Sequence, residues 1–175
     1  CVFCSSSKNT NKKFLDQSER LGNILAFKKI TCITGGGTEG CMGALNKSVN
    51  GNNGRTISIT HEMWTKNKNY SKNKIFTDEI VATGNDLSER KKYMKSMANS
   101  YIVLPGGPGT WDEMWDIISE KSLGLIKNDI VIVNMNGYYN GTKMQIETAF
   151  NNGIISSHEI VKFVDNVDEA INFLF

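Results

Sequence analysis

A chain of 175 residues, 39% of them hydrophobic, is long enough for one domain with a real core and too short for two comfortable ones. A net charge of +2 excludes a strongly charged nucleic-acid or membrane-surface binder, and no apolar run approaches the ~18 residues that span a bilayer. No signal peptide is visible, a trimmed leader ahead of Cys1 stays open, and a reduced cytoplasmic protein is the default expectation.

In chain order, short β-rich runs alternate with amphipathic ones. Val2–Ser6 reads as a strand. Asn11–Phe27 reads as a helix, with Phe14, Leu15, Leu21, Ile24 and Leu25 forming its apolar stripe. Ile30–Thr34 is a strand that runs straight into glycines. Cys41–Asn50 is a helix closed by Gly51–Gly54, and Arg55–Thr60 is a strand. Residues 61–74 are polar and lysine-rich, which predicts an exposed loop. Ile75–Ala82 reads as a further strand. Leu87–Ala98 is a helix capped by Asn85 or Asp86. Then follow a strand at Tyr101–Leu104, a helix at Trp111–Leu123 and a strand at Ile130–Asn134. A helix at Tyr139–Asn152 is closed by Gly153. Glu159–Val164 is the last strand and Val167–Phe175 the last helix. This alternation predicts an α/β fold, a mostly parallel sheet with helices on both faces, in a single domain over residues 1–175.

The cysteines stand at positions 1, 4, 32 and 41. Cys1-Val-Phe-Cys4 is a C-x-x-C without a second ligand pair, so the expectation is small residues on or near strands rather than a metal site. Asn69-Tyr-Ser71 and Asn140-Gly-Thr142 have the spacing of glycosylation acceptors, which carries little meaning in a reducing compartment.

Parallel α/β sheets bind ligands outside the carboxyl ends of their strands, and two glycine-rich turns occupy such places. One is Gly35-Gly-Gly-Thr-Glu-Gly40. The other is Gly106-Gly-Pro-Gly-Thr110, bracketed by Pro105 and Pro108, the only prolines in the chain. Glycine admits a ligand close to the backbone, and the N–H groups at a helix start face an anion. The first turn also fits G-x-G-x-x-G through Gly35, Gly37 and Gly40, with Glu62 about 20 residues further on. A tight turn without a ligand accounts for it equally simply. Two prolines in the second turn stiffen a loop that glycine alone would leave floppy, which fits a preformed anion cradle.

Arginine is scarce: three, at 20, 55 and 90, against 17 lysines. Arg90 falls on the apolar stripe of its predicted helix with Leu87 and Met94, so its guanidinium needs a partner. A phosphate site and a buried structural ion pair are both open. Thr110-Trp-Asp-Glu113 has the spacing of a capping box, in which Glu113 would satisfy the N–H of Thr110. The alternative sets the Glu113 carboxylate at the edge of the anion cradle. First-turn dipole compensation explains its neighbour Asp112.

"SERKKYMKSMANSYIVLPGGPGTWDEM", residues 88–114, resembles the signature of the LONELY GUY (LOG) family, an E-R-K segment followed by P-G-G-x-G-T-x-x-E. "CVFCSSS" and "GGGTEGCMGALNKSV" resemble the family's opening strand and first glycine turn, and the likeness runs nearly end to end. The resemblance implies a Rossmann-like, doubly wound fold. It implies a homodimer with active sites near the dimer interface, and cleavage of cytokinin riboside 5′-monophosphates or related purine nucleotides to free base and ribose 5-phosphate. It implies no cofactor and no metal, although many members carry a lysine decarboxylase label. It places the catalytic pair on Arg90 and Glu113. Substrate contacts fall on Lys91, Gly106, Gly107, Pro108, Gly109, Thr110 and Ser119, with Asp112 in the same set, and Gly35, Gly36 and Gly37 line the same pocket. Pro108 stands where members often have Tyr, and Leu87-Ser88 replaces a usual Met-His. The rivals are a nucleotide or molybdenum-cofactor carrier of the same fold, which binds without turnover, and an NAD-linked oxidoreductase resting on Gly35–Gly40 and Glu62.

Overall fold

The computed structural model describes residues 1–66 and 75–175. Strands and helices alternate through them. The first half holds β1 (Val2–Phe3), α1 (Lys12–Phe27), β2 (Cys32–Thr34), α2 (Gly40–Gly51), β3 (Thr56–His61), α3 (Glu62–Thr65) and β4 (Asp78–Ala82). The second holds α4 (Ser88–Met97), β5 (Ser100–Val103), α5 (Pro108–Ser122), β6 (Asp129–Val133), α6 (Asn140–Asn151), β7 (Lys162–Val164) and α7 (Val167–Leu174), with a 3-10 turn at Met135–Gly137.

Among the described residues every strand pairing is parallel. One ladder runs β1-β5-β6-β7 and the other β2-β3-β4, and β1 lies beside β2 where the ladders meet. The chain therefore winds outward from β1 through β4, returns by α4, and winds out again on the far side of β1. In doubly wound sheets that reversal opens a crevice at the strand carboxyl ends. Here it falls between the segments that leave β1, β2 and β5.

The core explains the strand sequences. Ile102, Leu104, Val131 and Val133 pack on one face with Leu21 and Leu25 of α1, Leu45 and Val49 of α2, and Ile171 of α7. Their alternate neighbours Tyr101, Val103, Ile130 and Ile132 pack on the other with Met94 of α4, Met114 and Ile117 of α5, and Ile146 of α6. Both faces are covered, so these strands read as continuous apolar runs rather than alternating ones. The α1–α2 crossing depends on Gly22, where a Cβ would come within 2.8 Å of the Leu45 carbonyl oxygen. The cysteines are unpaired, with Cys4, Cys32 and Cys41 buried, as expected of small core residues.

Several elements depart from the sequence expectation, each for a local reason. β1 stops at Phe3 because Ser5 turns away to bond the Pro105 carbonyl and to receive the Met42 N–H. The segment expected as loop at residues 61–66 holds the short α3, whose start is capped by His61 Nδ1 accepting from the Met63 N–H. Residues 67–74, the rest of that predicted loop with the Asn69 acceptor site, lie outside the described residues. α4 starts at Ser88, and Asp86 does act at its start, accepting from the Ser88 N–H at 2.8 Å. α5 begins three residues early, at Pro108, because a proline at the first helical position has the required φ and lacks only an N–H that would be orphaned anyway.

Candidate active site

A cavity of about 560 Å³ opens at the reversal of strand order. Its floor and walls come from Ser5, Ser6 and Ser7 after β1, from Gly35, Gly36, Gly37 and Thr38 after β2, and from Gly107, Pro108, Gly109 and Thr110 after β5. Arg90 of α4, Glu113 of α5 and Trp64 of α3 close it, with Thr60, Leu87 and Asp112 at the side.

The loop after β5 is held rigidly. Tyr139 Oη donates to the Leu104 carbonyl at 2.8 Å and Tyr138 Oη to the Gly106 carbonyl at 2.7 Å. The Ser5 N–H donates to the Pro105 carbonyl at 3.1 Å. A Cβ on Gly106 would overlap the Thr110 side chain. α5 then starts with Gly107 extended and Pro108 at its first position, and no side chain caps it. The N–H groups of Gly109 and Thr110 are left without intrahelical partners, and both residues line the cavity at the helix end whose dipole favours an anion. The turn after β2 is held from behind: the Gly37 N–H meets Met42 Sδ at 2.8 Å, and the buried Asn46 receives the Thr34 hydroxyl at 3.1 Å. Gly36 sits at φ +79°, a left-handed conformation that favours glycine.

The two charged residues meet at the bottom of the cavity. Arg90 Nη1 donates to Glu113 Oε1 at 2.6 Å, with the residues only 5% and 7% exposed. Arg90 Nε donates to the Ile59 carbonyl at 2.8 Å. Trp64 lies against the guanidinium, Cζ standing 5.3 Å from the ring centroid. The remaining nitrogen, Nη2, points at Gly35, where any Cβ would overlap it. Burial raises the Glu113 carboxyl above the ordinary glutamate value, and the Arg90 contact offsets this only in part. The capping-box reading of Glu113 does not hold: α5 starts at Pro108, so Glu113 lies beyond its first turn and bonds Arg90 instead of the Thr110 N–H.

The structure thus gathers Arg90, Glu113, Gly35, Gly36, Gly37, Gly107, Pro108, Gly109, Thr110 and Asp112 around one cavity. It does not bring every predicted residue there. Gly106 sits behind the loop, beside Tyr138. Lys91 lies on the flank of α4 and α5, donating to Asp112 Oδ1 at 3.2 Å. Ser119 is exposed further along α5, where its carbonyl receives the Ser122 hydroxyl. Glu62, the candidate ribose acid of a dinucleotide site, pairs with Lys66 at 2.6 Å instead of lining the cavity. Sequence reasoning missed Ser5–Ser7 and Trp64. The strand-end rule applied to β1 would have found the serines; the sequence carries no signal for Trp64, which reaches Arg90 across 26 positions only through the fold.

Fold and site define a Rossmann-like α/β protein with a small-molecule cavity at the strand carboxyl ends. Residues 42–174 match the family model described as "Possible lysine decarboxylase". The chain is 31% identical over 178 residues to the cytokinin riboside 5′-monophosphate phosphoribohydrolase LOG7 of Arabidopsis thaliana, covering 99% of this chain and 79% of the relative. It is 30% identical to the enzyme of the same printed name from Mycobacterium marinum, covering 97% and 89%. The chain belongs to the LONELY GUY (LOG) family. Among solved structures, the molybdenum cofactor carrier protein of Chlamydomonas reinhardtii superposes with a TM-score of 0.71 at 20% identity, covering 98% of this chain and 92% of the carrier; that likeness concerns the fold alone.

Proposed function

We propose that this chain hydrolyses the N-glycosidic bond of a nucleoside 5′-monophosphate, releasing the free base and ribose 5-phosphate. The observation that carries the reading is the buried Arg90–Glu113 pair facing the same cavity as the start of α5. Relatives of about 30% identity over almost the whole chain are named for this reaction on cytokinin riboside 5′-monophosphates.

The phosphate sits against the Gly109 and Thr110 N–H groups and the glycine turn after β2, so its binding energy orients the sugar. Glu113 lies about 5 Å further along the α5 axis, a spacing on the order of one pentose ring. As the C1′–N bond breaks, the base leaves with the bonding pair and takes up a proton. Positive charge builds on the ribose, as in glycoside hydrolysis. The ionised Glu113 stabilises that charge and orients the water that adds to C1′. Arg90 holds the carboxylate in place and favours its ionised form against burial. In this reading residues 1–175 act as one domain, as a homodimer and in the cytoplasm.

The test is release of free base from AMP and from isopentenyl-AMP, followed by chromatography. Wild-type protein should give base and ribose 5-phosphate in equal amounts. Glu113→Gln, which keeps an oxygen for Arg90, should bind nucleotide and lose on the order of 10²–10⁴-fold in turnover. Tight nucleotide binding with no release by the wild type would favour a carrier instead.

A further inference from the structure

We infer that Trp64 is the residue by which this chain selects the leaving base, stacking a purine between the indole and the apolar side of the cavity at Leu87. The inference rests on the phosphoribohydrolase reading and adds to it the residue that holds the base. Its geometry is a sequence of groups along one cavity. The anion nest lies at the start of α5, Glu113 follows, Arg90 bonds Glu113, and Trp64 lies on Arg90. A nucleoside monophosphate has phosphate, sugar and base in that same order. With phosphate on the nest and C1′ at Glu113, the base falls at the Trp64 end.

The chemistry at that end fits a flat aromatic group. Trp64 lines the cavity and remains 41% exposed although Arg90 lies over its ring. Indole is the largest π surface among side chains, and each stacked base gains on the order of tenfold or more in affinity from an aromatic partner. Leu87, at the N-terminus of α4, adds an apolar surface to the same cavity. The ring is also braced: His61 meets it edge-on at 6.2 Å between centroids, and the Arg90 guanidinium fixes its other contact. A braced ring offers a stacking surface without first losing side-chain freedom. Purines present a larger face than pyrimidines, so the site should discriminate in their favour.

Trp64 also touches Arg90, so its substitution needs a readout that separates base recognition from support of the catalytic pair. Binding of AMP, CMP and ribose 5-phosphate is measured by calorimetry, and kcat and KM with AMP and CMP by base release, for wild type, Trp64→Phe and Trp64→Ala. The expected result is that Trp64→Ala weakens AMP binding about tenfold and narrows the AMP-to-CMP ratio of kcat/KM through KM. Ribose 5-phosphate, which has no base, should bind unchanged, and Trp64→Phe should restore most of the loss. A uniform loss in kcat for both nucleotides, with weaker ribose 5-phosphate binding, would overturn the inference and make Trp64 a prop for Arg90. Unchanged AMP binding in Trp64→Ala would overturn it too. If the wild type releases no base at all, the phosphoribohydrolase reading fails, while the AMP and ribose 5-phosphate binding comparison still decides where the base sits.

Discussion

Glu113 carries two opposing demands. Its burial penalises the charge that the proposed chemistry needs, and Arg90 at 2.6 Å supplies most of the compensation available. Burial is the largest influence, followed by the Arg90 attraction and hydrogen bond, then by repulsion from Asp112, with Lys91 acting the other way. The net direction is upward from the ordinary 4.5. The acid limb of kcat/KM should therefore fall at a pH above that value, with activity lost as Glu113 takes up a proton. The same shift acts on stability with the opposite sense. A carboxyl whose folded value is raised contributes stability that is fully present below the unfolded value and is lost as pH rises through the folded one. Activity and the Glu113 contribution to stability should thus move in opposite directions across one pH window, which a pH–rate profile and urea melts on the same samples would check. An acid limb at or below the ordinary glutamate value would mean that the protein holds the carboxylate ionised more strongly than its burial allows.

At the scale of elements, the second glycine loop is a stiff part because of what grips it. Pro105 and Pro108 were visible in the sequence as restraints, but the two tyrosines after β6 were not. Tyr138 and Tyr139 bond the Gly106 and Leu104 carbonyls from more than 30 positions away, and no local pattern reports such a contact. Tyr139→Phe keeps the ring in the core and leaves the Leu104 carbonyl without its donor. It should cost about 1–3 kcal/mol in urea denaturation and weaken phosphate binding by loosening the cradle. A variant as stable as wild type, with unchanged ribose 5-phosphate affinity, would show that the prolines suffice. Most helices were legible from their apolar stripes, and α5 shows where legibility ended. Thr110-Trp-Asp-Glu113 imitates a capping box, but Pro108 started the helix first and moved Glu113 beyond its first turn.

At the scale of the molecule, the alternation of elements announced a parallel sheet with helices on both faces, and the paired apolar runs of β5 and β6 bear that out. The strand order was not readable, because pairing partners are set by which helices cover which face. That order matters most for function, since it brings the ends of β1, β2 and β5 together and with them Arg90 from α4. The shared motif spacing identified both charged residues, while the fold alone showed that they touch. Among the described residues, no helix is long and apolar enough to cross a membrane. The most direct test of the whole account is a crystal structure of the Glu113→Gln protein with AMP bound. The account predicts phosphate on the Gly107–Thr110 segment and C1′ in contact with the residue 113 side chain. Phosphate bound elsewhere, or a sugar turned away from residue 113, would contradict it.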